Sequence, residues 1–157
     1  MNYSKPIKKA DDNSKSFIME CLNGEDTHGL DVDSIYYYED CWYVFEYLKC
    51  DTISPYKSDP KFYPWNWRKF YSLYFLAKSL QGRLLLVNYS NRDEDNDKDK
   101  IKVMEVIDFN YKKARSYKKD VHRTPYEYMK LKNHEMTRSE FSDWLKKINK
   151  KAQLPEL

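Results

Sequence analysis

The chain has 157 residues, of which 41% are hydrophobic and 17% aromatic, a composition that excludes an intrinsically disordered protein and suits one folded domain. Its 28 basic and 25 acidic residues leave a formal charge of +3, which is too small by itself to indicate a nucleic-acid binder. No apolar run approaches the roughly 20 residues that span a bilayer, and the N-terminus lacks the apolar segment of a secretion signal. Three cysteines without a CxxC spacing predict reduced thiols in a cytoplasmic protein.

The N-terminal part of the chain predicts a helix followed by a β-hairpin. Residues 1–12 are polar and basic, and we expect them to be flexible. Apolar residues at helical spacing then predict a helix from about Asp12 to Asn23. Over residues 30–49 two runs rich in aromatic and β-branched residues flank Glu39 and Asp40, which predicts a hairpin with either a two-residue or a four-residue loop.

The middle of the chain predicts a crossover between strands. Residues 51–64 hold three prolines and read as a loop, and residues 65–80 carry the strongest helical periodicity in the chain. The nearly continuous apolar run at 84–90 predicts a buried strand, so the intervening helix suggests a βαβ-type connection.

The C-terminal part predicts one more strand and a pair of helices. Residues 91–100 are expected to form a solvated hairpin tip, because the alternating aspartates there lack the glycine and the final glutamate of a calcium loop. Residues 100–109 predict a strand. Capping boxes that begin at Thr124 and Thr137 predict a C-terminal helical pair over 123–151. The fold class is therefore α/β, with a mixed central sheet of four to five strands and flanking helices in a single domain over 1–157.

The hairpin places two carboxylates opposite each other. If the turn is centred between Glu39 and Asp40, paired residues have numbers that sum to 79, so Asp33 faces Glu46 with Cβ atoms about 4.5–5.5 Å apart. Asp31 lies two residues upstream on the same face. Opposed carboxylates repel each other, and Mg²⁺ commonly accompanies such pairs because it binds one or two carboxylates together with water and phosphate.

Asp33, the hairpin, Glu46, Lys49 and the following helix and strand together resemble the PD-(D/E)XK nuclease superfamily over residues 12–109. The resemblance implies a restriction-endonuclease-like core in which Asp33 and Glu46 bind Mg²⁺ or Mn²⁺. It also implies that Lys49 orients the attacking water and that Glu20 on the first helix assists, with Asp31 as an alternative metal ligand.

The lysine departs from the family pattern, which has one residue between the second acid and the lysine. Two residues separate Glu46 from Lys49 here, so a regular strand would turn the two side chains to opposite faces. A β-bulge at Tyr47 or Leu48 would restore Lys49 to the face of Glu46. Otherwise Lys57 or Lys69 would have to supply the charge.

Basic residues interleaved with aromatic ones indicate a possible contact with nucleic acid. These residues, which could equally be solvated surface charges, are Lys61, Arg68, Lys69, Lys112, Lys113, Arg115, Lys118 and Lys119. The leading interpretation is thus a small magnesium-dependent endonuclease that acts on nucleic acid, expected to be DNA, as a homodimer or with a partner protein. The alternative is a non-catalytic module that binds protein or nucleic acid. Three scattered histidines and three glycines do not support a zinc site, a Rossmann fold or a P-loop.

Overall fold

The computed structural model describes residues 13–26 and 28–152, so the expected flexible segment 1–12 lies outside the described residues. The chain divides into two units at the Asp31–Val32 boundary. The first unit contains helix α1 (Asn13–Leu22), which confirms the first predicted helix. The second unit contains all five strands, and the expectation of one domain over the whole chain stays a prediction.

The predicted hairpin is confirmed and has the shorter of the two possible loops. Strands β1 (Ser34–Tyr38) and β2 (Cys41–Lys49) are antiparallel, and Ser34 pairs with Phe45 in the register whose numbers sum to 79. The two turn residues, Glu39 and Asp40, have φ angles of 49° and 58°. Two consecutive left-handed residues produce the twist that joins antiparallel strands tightly.

The crossover after the hairpin is also confirmed. Helix α2 (Trp67–Ser79) follows two short 3₁₀ turns, and β3 (Arg83–Tyr89) returns parallel to β2. Gly82 lies where this connection passes close to the hairpin, because a Cβ atom there would meet the backbone carbonyl of Trp42 and lie 2.7 Å from its Cβ. The chain therefore needs glycine at the entry to β3.

The rest of the second unit completes a mixed sheet. Strands β4 (Lys100–Phe109) and β5 (Met129–Thr137) add to it antiparallel, with helix α3 (Tyr111–Arg115) between them and α4 (Arg138–Lys151) after them. The strand order is β1-β2-β3-β4-β5. An α/β class with a five-stranded mixed sheet and flanking helices is thus confirmed.

The predicted C-terminal helical pair over 123–151 is wrong in its first member. Glu127 does not complete a cap but forms an ion pair with Lys61, and the Tyr126 N–H donates to the Lys61 carbonyl at 2.8 Å. Residues 124–128 form no helix, and Tyr128, which is buried in the core, leads directly into β5. The second capping box is correct, since Thr137 Oγ1 accepts a hydrogen bond from the Glu140 N–H at 3.1 Å.

The hairpin tip between β3 and β4 is mostly solvated, as expected, but one of its aspartates is not. Asp97 is only 2% exposed, and its carboxylate lies 3.3 Å from Lys100 Nζ and 3.9 Å from Arg92 Nε. Asp95 and Asn96 adopt left-handed backbone conformations, which let the tip fold back over Asp97 and its two cations.

Each face of the sheet carries its own core. The face toward α2 packs aliphatic strand residues against the helix, with Val44, Leu84, Leu86, Met104, Phe70, Leu73 and Ala77 at its centre. The opposite face packs against α4 and includes Phe45, Leu85, Val87, Ile101, Val103 and Ile148. Because side chains alternate along a strand, neighbouring residues of β2 serve different cores. Among the described residues, no helix is long and apolar enough to cross a membrane.

Candidate active site

Glu46 is a carboxylate buried inside an apolar strand. It lies on the face of β2 toward α2, between the core residue Val44 and the partly buried Leu48, and it pairs with Leu86 of β3. Its exposure is 2%. Burying a charge costs free energy unless it is paired and hydrogen-bonded, so the contacts of Glu46 decide how the fold tolerates it.

Lys69 is the cation that meets Glu46. It extends from the first turn of α2, and its ammonium contacts Glu46 Oε1. The other carboxylate oxygen, Oε2, is buried and accepts no hydrogen bond from a donor group. The side chain of Lys69 is 45% exposed, so the ion pair has one member in the core and one that reaches solvent.

Burial raises the pKa of Glu46 above its ordinary value. The hydrogen bond and charge of Lys69 oppose this rise, whereas the negative charge of Asp33 and a hydrogen bond between the two carboxyl groups add to it. Desolvation is the largest of these effects, so Lys69 compensates only part of the penalty.

Asp33 lies directly before β1, at the position that the hairpin register places opposite Glu46. Its Oδ2 accepts a hydrogen bond from the Tyr47 N–H at 2.7 Å. The Asp33 side chain therefore accepts a backbone hydrogen bond from β2 just beyond the pair of Ser34 and Phe45, where the β1–β2 ladder ends. This contact holds an exposed carboxylate close enough to Glu46 to influence its pKa.

Lys49 does not join this group, and the expected β-bulge is absent. The pairing of β2 with β3 runs without a shift from Tyr43 to Lys49, which turns Lys49 to the face opposite Glu46. Its ammonium instead lies 3.3 Å from Asp51 Oδ1. Lys69, one of the two alternatives considered from the sequence, contacts Glu46, whereas Lys57 is an exposed loop residue.

The two remaining predicted acids belong to the first unit. Glu20 lies in α1, and Asp31 forms an exposed ion pair with Lys15 at 3.7 Å. Their roles in a metal site stay predictions. Over residues 13–26 and 28–152, no group of three or more His, Cys, Asp or Glu side chains is arranged to hold a metal ion.

A buried polar pair that the sequence did not single out lies on the same sheet face. Asn88 Nδ2 donates to the carbonyls of Pro55 and Ser58 at 3.0 and 2.9 Å, and Lys102 Nζ donates to those of Tyr56 and Ser58 at 3.2 and 2.8 Å. Burial lowers the pKa of Lys102. The sequence contains a signal that could have identified this pair, because Asn88 in β3 and Lys102 in β4 are polar residues at helix-facing positions of otherwise apolar strands. The contacts fasten the proline-rich loop to the sheet.

The predicted nucleic-acid contacts fall into separate places. Lys61 lies in the loop before α2, 3.8 Å from Glu127, and Lys118 and Lys119 are exposed after α3. The others lie on two helices: Arg68, Lys69, Lys112, Lys113 and Arg115.

No known protein family matches the chain, and no curated protein or solved structure is detectably similar to it. The nuclease resemblance therefore stays a prediction that depends on the residues of the site alone.

Proposed function

We propose that this protein is a magnesium-dependent nuclease in which Asp33 and Glu46 hold the ion and Lys69 takes the place predicted for Lys49. The observation that carries the proposal is the buried Glu46 carboxylate, whose Oε2 meets no hydrogen-bond donor, beside the carboxylate of Asp33 and the ammonium of Lys69. A buried polar atom without a partner calls for an explanation such as a catalytic role or a bound ion.

The residues fit Mg²⁺. This ion is usually bound through one or two carboxylates and completes its shell with water and substrate phosphates, so a third acid is not required. Glu46 offers an oxygen that accepts no hydrogen bond from a donor group, and Asp33 is exposed at the edge of the site. A bound Mg²⁺ would supply charge stabilisation for a phosphodiester and lower the pKa of a water molecule.

The chain's own residues have distinct tasks in this proposal. The backbone of Tyr47 orients Asp33 through the 2.7 Å hydrogen bond. Lys69 opposes the rise that burial causes in the pKa of Glu46, and its half-exposed side chain can offer the ammonium to a phosphate or a water. Val44 and Leu48 flank Glu46 along β2 and limit its contact with bulk water.

Cleavage assays test the proposal directly. Supercoiled plasmid, single-stranded DNA and RNA are incubated with the protein in Mg²⁺, Mn²⁺ or EDTA. We expect metal-dependent cleavage that Asp33→Asn, Glu46→Gln and Lys69→Met each reduce by at least about a hundredfold. Lys49→Met is the matched control, because this lysine lies on the other face of β2 and should leave cleavage unchanged.

Metal binding gives a second readout that does not depend on activity. An ion that binds only the folded state raises its stability by about 2.7 kcal/mol at a hundred times its dissociation constant. Mg²⁺ should therefore raise the melting temperature of the wild type and not that of Glu46→Gln. Absence of both cleavage and stabilisation would refute the proposal.

A non-catalytic binding module is the second candidate. The direct contact of Lys69 with Glu46 favours it, since a satisfied ion pair can be purely structural. In that case Lys69→Met would lower stability, and Mg²⁺ would neither support cleavage nor raise the melting temperature of the wild type.

A further inference from the structure

Four aromatic rings form one continuous cluster along α2 and α3, which we call the ring strip. Trp67, Tyr71 and Phe75 follow each other at four-residue spacing, with ring centroids 6.5 and 6.4 Å apart. Tyr111 of α3 joins them, 5.8 Å from Trp67 and 4.6 Å from Tyr71. Phe75 is 63% exposed and Tyr111 is 39% exposed, so these two rings face solvent, whereas Trp67 and Tyr71 pack partly against the core.

The helices that carry the ring strip have only one sign of charge. Neither α2 nor α3 contains an acidic residue. Arg68 lies over the Trp67 ring at 5.5 Å. By contrast, α4 on the other face of the sheet mixes basic residues with Glu140 and Asp143. The basic residues of α2 and α3 are Arg68, Lys69, Lys78, Lys112, Lys113 and Arg115.

We propose that the ring strip and its surrounding cations bind single-stranded nucleic acid, with bases stacked on Phe75 and Tyr111 and phosphates held by the basic residues. The proposal takes from the proposed nuclease function only the class of ligand. Exposed rings beside cations match a single strand because every unpaired base has a face to stack, whereas the bases of a duplex are stacked on each other.

Charge argues against a second copy of the chain on this surface. A two-fold interface places the same patch on both sides, so the basic residues of one strip would face those of the other. An anionic polymer removes this repulsion and releases counterions when it binds. A single strand therefore offers bases that stack on the exposed rings and phosphates that neutralise the basic residues.

Fluorescence anisotropy with labelled oligonucleotides tests the stacking. The full chain is titrated in EDTA, so that no cleavage occurs, against single-stranded and duplex forms of one sequence and against single-stranded RNA. We expect the single strands to bind more tightly than the duplex. Phe75→Ala should weaken binding about fivefold to 150-fold, the range for losing one stacked base. Phe75→Trp should keep the affinity and Phe75→Leu should lose it, because leucine retains apolar area but has no ring face.

Salt dependence tests the cations. Lys112→Gln combined with Arg115→Gln should lower the slope of log affinity against log salt by about 0.7 for each lost phosphate contact. The matched pair Lys146→Gln and Lys147→Gln on α4 should leave the slope unchanged.

Several outcomes would overturn the proposal. These are equal binding of duplex and single strand, wild-type affinity in Phe75→Ala, or retained affinity in Phe75→Leu. Self-association, or binding to anionic vesicles that Phe75→Leu preserves, would assign the strip to another partner. This test can be separated from the nuclease proposal, because the titration in EDTA measures binding without cleavage and Glu46→Gln should then bind like the wild type. Binding that depends on the Phe75 ring, without any cleavage in Mg²⁺, would refute the nuclease proposal and leave the binding proposal standing.

Discussion

Replacing Glu46 by glutamine should stabilise the protein at neutral pH. The substitution keeps the shape of the side chain and removes a charge whose burial Lys69 compensates only in part. The new amide can still accept from Lys69 and can donate toward the carboxylate of Asp33. A buried polar group without a partner costs about 1–3 kcal/mol, and we expect a gain of that size in the free energy of unfolding. It corresponds to a rise in melting temperature of about 2–12 °C.

The pH dependence of this gain follows from the direction of the pKa shift. The pKa of Glu46 is higher in the folded protein than in the unfolded chain, where glutamate has a pKa of about 4.3. Between these two values the unfolded chain has lost the proton that the folded protein retains, so the wild type becomes less stable as the pH rises. Above the folded pKa the penalty is complete and constant. The advantage of Glu46→Gln should therefore be absent below about pH 4, grow through this window and then level off.

Denaturant unfolding of the wild type and of Glu46→Gln at pH values from about 4 to 8 measures the difference in their free energies of unfolding. The contributions of the other carboxylates are the same in both proteins and cancel in this difference. Glu105→Gln is the matched control, because Glu105 lies on β4 with its Oε1 3.4 Å from Arg83 Nε and its side chain 19% exposed. Loss of that pair should lower stability by no more than about 1 kcal/mol. A less stable Glu46→Gln at pH 7, or a difference that does not vary with pH, would refute the reasoning.

Three further substitutions probe other parts of the fold. Lys69→Met leaves Glu46 without its cation and should lower the free energy of unfolding by about 1–2 kcal/mol, a modest loss because the Lys69 side chain is half-exposed. Denaturant unfolding at pH 7 measures this loss, and an unchanged free energy of unfolding would contradict it. Gly82→Ala places a Cβ against the backbone of Trp42 and should cost about 1–3 kcal/mol, so an unchanged melting temperature would contradict the close approach. Tyr128→Phe removes a buried hydroxyl that donates at 3.3 Å to a loop carbonyl and should cost about 1 kcal/mol in the same assay; a gain in stability would contradict that bond.

The hairpin could be predicted because its information is local. Glu39 and Asp40 form a polar pair between two runs rich in β-formers, and that centre determines the whole register. Asp33 opposite Glu46 then follows from arithmetic. The neighbouring helix and the buried strand β3 were predictable for the same reason, since their apolar periodicities are strong.

The lysine could not be chosen from the sequence because its position depends on tertiary packing. Lys49 is close to Glu46 along the chain, but the regular pleat of β2 turns it away. Lys69 reaches Glu46 only because α2 packs on that face of the sheet with its first turn over β2. Neither the packing of α2 nor the absence of a bulge has a signal in a single sequence.

Strand β5 was missed because an edge strand has a weak pattern. Only Met129 and Leu131 at its start alternate with exposed lysines, and most of the remaining residues are polar and exposed. Charged residues are common on edge strands, where they discourage pairing with other chains. The capping-box pattern at Thr124 was therefore the stronger local signal, although it led to the wrong element.

The order of the strands in space is the same as their order along the chain, and this has a consequence for folding kinetics. The antiparallel ladders β1–β2, β3–β4 and β4–β5 close over connections of 2, 10 and 19 residues, whereas the parallel β2–β3 ladder closes over 33. Only the β2–β3 ladder must wait for the loop and α2 to close between Lys49 and Arg83. We expect the barrier to folding to lie at this closure, because bringing distant segments together costs entropy before contacts form. Destabilising substitutions of Phe70, which packs α2 onto the sheet, should then slow folding more than they speed unfolding.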